Sequence, residues 1–216
     1  MQVTRLLAVR HGETAWNADG RLQGHLDIPL NDRGLWQAER TGAALAEESI
    51  GAIYASDLQR AWQTAQAIAQ AQAQPPIVQA DERLRERAFG DFQGRLFTEI
   101  EADRPEDARR WRQRDPDFVP PGGGESLRQF RDRVVGAAAE LAARHPGQLV
   151  LLVAHGGVMD LLYRAATSQE LQAPRTWQLG NAAINRLLWT PQGFSLVGWN
   201  DSGHLQQSDV LDESTT

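Results

Sequence analysis

Two histidines in this chain each follow an apolar run of strand length and precede a glycine. They stand in Leu6-Leu7-Ala8-Val9-Arg10-His11-Gly12 and in Leu151-Leu152-Val153-Ala154-His155-Gly156-Gly157. One histidine after a strand is more often structural or exposed than catalytic. Two of them, with Arg10 beside the first and Arg60 shortly after another apolar run, are hard to explain by packing. Arginines buried without carboxylates are costly unless an anion neutralises them. Phosphate does so naturally, because guanidinium forks match its oxygens in bidentate geometry. Nearby cations would also depress the pKa of His11 and keep the ring neutral and nucleophilic. These residues indicate an anion site, with His11 as the candidate nucleophile.

The elements that must position them follow from the apolar pattern. Val3 to Val9 reads as a buried central strand, and Gly12 to Leu30 as a polar loop. Asn31 caps a helix with Leu35, Ala38, Gly42 and Leu45 at helical spacing. Ala52 to Ala55 is a second short strand, and Ser56-Asp57 caps a helix running to about Ala71. Ile77 to Gln79 is a third strand. Residues 97 to 119 are an excursion of short helices rich in Arg, Asp and Pro, closed by the hinge Pro120-Pro121-Gly122-Gly123-Gly124. Ser126 and Gln129 form a capping box ahead of an amphipathic helix. Leu149 to Val153 is the most hydrophobic strand, with a helix from about Val158. Ile184 to Trp189 and Phe194 to Trp199 make a terminal hairpin, whose tryptophans suggest a homodimer edge. Strands alternating with helices give an α/β fold, a three-layer α/β/α sandwich with a mostly parallel central sheet. Residues 1–205 form a single domain with a small helical cap insertion at about 95–122, and 206–216 is a polar tail. Ligands of such sheets sit beyond the carboxyl ends of the strands, where Arg10-His11, Ser56 to Arg60 and His155-Gly156 all fall.

Composition narrows the chemistry. The 216 residues carry a net charge of −6, which argues against general nucleic-acid binding. There is no cysteine, so a thiolate nucleophile and a zinc-thiolate site are excluded. All 22 basic residues are arginine, so any anion site must use guanidiniums, backbone amides and histidines, and a lysine-dependent phosphate loop is ruled out. No apolar run reaches membrane-spanning length, and a cytoplasmic enzyme is expected. No spacing suggests a metal site, and no cofactor is implied.

Arg10-His11-Gly12-Glu13-Thr14-Ala15-Trp16-Asn17 resembles the opening signature of the histidine phosphatase superfamily, the phosphoglycerate mutase-like group. Leu30-Asn31-Asp32-Arg33-Gly34, Ser56-Asp57-Leu58-Gln59-Arg60, Leu84-Arg85-Glu86-Arg87-Ala88-Phe89-Gly90, Gly123-Gly124-Glu125-Ser126 and Val153-Ala154-His155-Gly156-Gly157 resemble its later motifs in the same order, and Gly180-Asn181-Ala182 its tail. The resemblance implies a phosphoglycerate mutase-like fold and makes His11 the residue that becomes phosphohistidine. Arg10, Arg60 and His155, with Gly156, would hold the phosphoryl oxygens, and Asn17 would add a polar contact. Gln23 and Gly24 would lie on the substrate side.

Glu86 is the candidate general acid, to protonate the leaving oxygen and then activate water. Taken alone, Glu82 and Glu86 among Arg83, Arg85 and Arg87 read equally well as solvated charges; the motif ending in Phe89-Gly90 favours the acid. Glu13 is better placed to orient Arg10 or His11. Gln93 stands where many phosphatase members carry a second glutamate. His25 reads as an exposed loop residue, His145 as structural at a helix C-terminus, and His204 has no assignment. The cluster Arg109, Arg110, Arg112 and Arg114 is either a charged surface helix or a lid carrying Arg109 and Arg110 towards an acidic substrate.

The expected activity is metal-independent hydrolysis of a small phosphomonoester. A cofactor-dependent phosphoglycerate mutase is the alternative, although its branch resembles itself in a lysine that this chain lacks. A non-catalytic phospholigand-binding module is a remoter alternative, since it should have lost one of His11, Arg60, Glu86 and His155.

Overall fold

The computed structural model describes residues 2–206, so all of the polar tail except Gln206 lies outside the described residues. Its centre is a six-stranded sheet in the order β3-β2-β4-β1-β5-β6, formed by β1 (Thr4–Arg10), β2 (Ile50–Ala55), β3 (Val78–Ala80), β4 (Leu149–Ala154), β5 (Ile184–Thr190) and β6 (Gly193–Asp201). The pairs β1–β4, β2–β4 and β2–β3 are parallel, and β5 and β6 add an antiparallel edge.

The apolar runs of β1 and β4 serve both faces because strand side chains alternate. Leu6 and Ala8, with Val150, Leu152 and Ala154, pack beneath α6 (Leu127–Ala143) and α7 (Gly156–Thr167). Leu7 and Val9, with Leu151 and Val153, pack beneath α3 (Gln59–Gln70). The layered α/β/α arrangement expected from sequence is therefore the one observed. Arg10 pairs in register with Ala154, so His11 and His155 leave adjacent parallel strands at the same level.

Local chemistry explains where element boundaries differ from expectation. The span from Gly12 to Leu30 contains a short helix, α1 (Ala15–Asp19), because Thr14 and Asn17 form a reciprocal capping box. Asn31 caps α2 (Asp32–Ala44) by accepting from Gly34 N at 2.8 Å, as its sequence position indicates. Ser56 and Asp57 do not cap α3, whose N-cap position is Leu58. Ser56 Oγ lies 2.8 Å from His155 Nε2, and Asp57 is held by Arg85. Helix α7 opens at Gly156 rather than Val158, which brings its first backbone amides to the end of β4.

The excursion holds α4 (Phe97–Asp103) and α5 (Pro105–Arg112) and has a core of its own, with Phe92, Ile100, Ala108 and Phe118 buried together. The glycine stretch that follows is a fastened turn rather than a free hinge. Asp91 N donates to Pro121 O at 2.8 Å and Glu125 N to Ala88 O at 2.9 Å. Trp189 and Trp199 of the hairpin are half-buried against the sheet core, with Trp199 edge-on to Tyr163, so they do not form an exposed edge. Among the described residues, no helix is long and apolar enough to cross a membrane.

Candidate active site

The backbone at His11 is held from three sides. Its N–H donates to Ala154 O at 2.9 Å, its own carbonyl accepts from Asn181 Nδ2 at 2.9 Å, and Gly12 N donates to Thr64 Oγ1 of α3 at 3.0 Å. Gly12 and Gly34 are required by close approach: a Cβ on Gly12 would overlap Gly34 O, and one on Gly34 would overlap Glu13 O. The start of α2 therefore presses directly on the nucleophile loop. The ring Nδ1 lies 2.7 Å from Gly12 O. A carbonyl only accepts, so Nδ1 carries the proton and Nε2 of the neutral ring keeps its lone pair.

The cations stand around this ring. Arg60 is 1% exposed; its Nη1 and Nη2 donate to Leu26 O at 2.9 Å and Gly24 O at 2.8 Å. Arg10 donates to Leu179 O. Neither makes an ion pair with a carboxylate among the described residues, and burial pushes the pKa of Arg60 down to about 10 and lowers that of Arg10. His155 is fully buried, with its ring centroid 5.1 Å from that of His11. Burial first, and then Arg60, hold both histidines well below the ordinary imidazole range, so both rings are neutral near pH 7.

The orphaned polar atoms mark the same place. Six buried side-chain atoms lack a hydrogen-bond partner among the described residues: Arg10 Nε, Gln23 Oε1, Arg60 Nε, His155 Nδ1, Asp160 Oδ1 and Trp177 Nε1. Buried polar groups are almost always paired. Here five of the residues line contiguous cavities, and the sixth, His155, lies against His11. The innermost cavity, about 170 Å³, is bounded by Arg10, His11, Asn17, Gln23, Gly24, Arg60 and Glu86. Cationic N–H donors around a neutral imidazole are suited to a tetrahedral oxyanion.

Glu86 reaches this cavity from the loop after β3. Its Oε2 accepts from Gly157 N at 2.9 Å and its Oε1 from Arg87 N at 2.9 Å. A Cβ on Gly157 would overlap Glu86 Oε1, so only glycine leaves room for the carboxylate. His25 is half-buried rather than exposed, because its Nε2–H donates to Glu86 O at 2.8 Å. Gln93 serves the same loop by accepting from His25 N at 2.7 Å. The Gly157→Ala variant is expected to push Glu86 aside and lower kcat/KM for a phosphomonoester by about a hundredfold. An unchanged kcat/KM would contradict this placement.

The remaining sequence candidates divide. Asn17 Oδ1 accepts from Thr14 N at 3.1 Å and from Asn181 Nδ2 at 3.3 Å, while its residue lines the inner cavity. Gly156 sits against the Arg10 guanidinium. Glu13 orients neither Arg10 nor His11; it accepts from Asn31 Nδ2 at 3.0 Å instead. Arg109 is exposed and paired with Glu106, and Arg110 is paired with Asp115 and half-buried over the Phe118 ring, so neither lines the cavities. The outer cavity is lined instead by Trp111, Arg114 and Arg112, the last exposed and paired with Glu101. Sequence reasoning also missed Arg87, Asp160 and Arg175 on that cavity. Asp160 had a readable signal, a charge inside the apolar run Val158-Met159-Asp160-Leu161-Leu162. Arg87 is 5% exposed, with its pKa pushed down to about 10 by burial. His145 is structural, meeting Tyr54 OH at 2.9 Å, and His204 meets Thr41 Oγ1 at 3.0 Å.

The depressed histidines make stability depend on pH. The unfolded chain takes up protons at His11 and His155 below about pH 6.5, whereas the folded site resists them, so acid favours unfolding. Stability is fully present above that value and falls as pH drops from there towards the folded-state pKa. The melting temperature is expected to decline between about pH 7.5 and 5.5; a rise on acidification over that window would contradict the burial of neutral rings.

The family model described as "Histidine phosphatase superfamily (branch 1)" matches residues 6–202. "Phosphoglycerate mutase-like protein 4" of Arabidopsis thaliana is 38% identical over 208 residues, 95% of this chain and 89% of its own length. "Metal-independent phosphoserine phosphatase" of the same plant is 38% identical over 211 residues, covering 97% of this chain and 87% of that one. The native structure of mycobacterial glucosyl-3-phosphoglycerate phosphatase superposes with a TM-score of 0.82 at 33% identity, covering 93% of this chain and 100% of that one. With the family model matching residues 6–202 and relatives 38% identical over nearly the whole chain, the chain belongs to branch 1 of the histidine phosphatase superfamily.

Proposed function

We propose that the protein hydrolyses a small phosphomonoester through a phosphohistidine formed on His11. The observation that carries this reading is the set of unpaired N–H donors on Arg10 and Arg60 around an imidazole whose Nε2 is unprotonated. The phosphoryl group sits among Arg10, Arg60, His155, Asn17 and the first amide of α7, where aligned N–H groups and the helix dipole favour an anion. His11 Nε2 attacks phosphorus, the bond to the leaving oxygen breaks, and Glu86 in its acid form gives that oxygen a proton. The resulting Glu86 carboxylate then takes a proton from water, the hydroxyl attacks phosphorus, and the P–N bond breaks to release phosphate. His11 returns to its neutral form and Glu86 to its acid form. Loose phosphoryl transfer needs mainly alignment and charge stabilisation, and the guanidiniums supply the latter.

Two relatives support the substrate class by their names, one a phosphoserine phosphatase and the other a glucosyl-3-phosphoglycerate phosphatase. The test is phosphate release from p-nitrophenyl phosphate and from 3-phosphoglycerate, in the presence of EDTA. Release that survives EDTA supports the reading. Isomerisation of 3-phosphoglycerate primed with 2,3-bisphosphoglycerate, with little phosphate released, would replace it with the mutase alternative.

A further inference from the structure

Asp160 is a buried polar residue at the cleft that phosphoryl transfer leaves without a task. It is 5% exposed, and its Oδ2 accepts from Arg114 Nη2 at 2.7 Å and Arg164 Nε at 3.0 Å. Its Oδ1 has no hydrogen-bond partner. The carboxylate is not free to rotate that oxygen towards the two arginines. Arg114 is held by Leu171 O at 2.6 Å on a left-handed backbone (φ 51°), and Arg164 by Glu170 O and by Ala173 O at 2.9 Å. A buried carboxylate oxygen without a donor is costly, and a ligand that supplies one relieves the cost.

The location says which part of a ligand would do so. Asp160 lines an outer cavity of about 400 Å³ that shares Glu86 and Phe89 with the inner cavity around His11. If Glu86 protonates the leaving oxygen, the body of the leaving group must pass Glu86 into this outer space. Its walls are mixed, with Trp111, Leu127, Phe130 and Leu161 apolar and Arg87, Arg112, Arg114 and Arg175 cationic. Because Arg114 and Arg164 already match the charge of Asp160, a neutral hydroxyl suits Oδ1 as well as an ammonium does.

We propose that Asp160 Oδ1 accepts a hydrogen bond from an O–H or N–H group on the leaving-group portion of the substrate. Asp160 thereby selects hydroxylated or aminated phosphoesters over plain ones. This rests on the inner cavity being the phosphoryl site.

Three esters test it: phosphoserine, 3-phosphoglycerate and 3-phosphooxypropanoate, which differ only in carrying an ammonium, a hydroxyl or a hydrogen on the middle carbon. At least one donor-bearing ester is expected to exceed the propanoate in kcat/KM by about ten- to a hundredfold, and whichever it is identifies the donor. In Asp160→Asn the amide oxygen stays with the two arginines and an NH2 donor replaces the acceptor Oδ1, so the ratio should fall to near one. Equal turnover of all three by the native enzyme would overturn the proposal. So would an Asp160→Asn enzyme that slows all three in proportion, since a purely structural residue would do that. If p-nitrophenyl phosphate is hydrolysed without any such preference, only the role of Asp160 fails. Inertness towards all four esters would overturn the phosphatase reading and the role of Asp160 with it.

Discussion

The His11→Ala enzyme is expected to lose phosphomonoester hydrolysis by about four orders of magnitude or more in kcat, as loss of a covalent nucleophile does elsewhere. The expectation follows from geometry rather than from the residue type alone. His11 is the ring whose Nδ1 is tied to a carbonyl, which forces the reactive lone pair onto Nε2. His155 is held differently: its Nε2 is engaged with Ser56 Oγ and its Nδ1 is the nitrogen without a partner. The anion site itself should survive, since Arg10 and Arg60 are held by Leu179 O, Leu26 O and Gly24 O rather than by His11. Inhibition of the native enzyme and calorimetry of the variant should therefore give similar affinities for inorganic phosphate. Substantial residual turnover would move the nucleophile elsewhere. Loss of phosphate binding together with turnover would make His11 a ligand of the anion instead.

The second large effect is expected for Glu86→Gln, a change that keeps the side chain's size while removing its exchangeable proton. Hydrolysis of an alkyl phosphate should fall by about 10²- to 10⁴-fold, the usual contribution of a positioned acid or base. The glutamine retains one acceptor for the two amides of Gly157 and Arg87 that the carboxylate now serves. The discriminating readout is the leaving group. p-Nitrophenolate departs without a proton, so phosphorylation of His11 should be slowed little with p-nitrophenyl phosphate. Activation of water would still be lacking. Stopped-flow traces of the variant should then show a burst of p-nitrophenolate followed by slow turnover. An equal loss with alkyl and aryl esters and no burst would reduce Glu86 to a structural ligand of α7.

Much of this site was legible because its chemistry is carried by residues that strand ends deliver. The runs ahead of His11 and His155 had to be buried strands, and parallel pairing then placed the two histidines side by side. Asn31 and Ser126 announced their helices by capping chemistry that acts within four residues. What could not be read depends on contacts between distant segments. His25 looked like an exposed loop residue, yet it is half-buried and held by the carbonyl of Glu86, a residue 61 positions away. Ser56 looked like a cap until the ring of His155 arrived opposite it. Arg109 and Arg110 shared a cluster with Arg112 and Arg114, and only the folding of the excursion around its own small core of Ile100, Ala108 and Phe118 brings the latter two to the cavity wall. The helical phase of a short, strongly charged segment is weakly specified by its sequence. The substrate-facing side was accordingly the least legible part of the chain.

The most direct test of the account is to mix the native enzyme with a substrate ester, quench into alkali within one turnover, and locate any phosphoryl group by peptide mass spectrometry. Alkaline conditions preserve a phosphorus–nitrogen bond that acid would break. The account requires a phosphoryl group on His11 that forms before phosphate appears in solution and decays at the rate of turnover. Steady phosphate release with no phosphoryl group on His11, or with one on another residue, would contradict it.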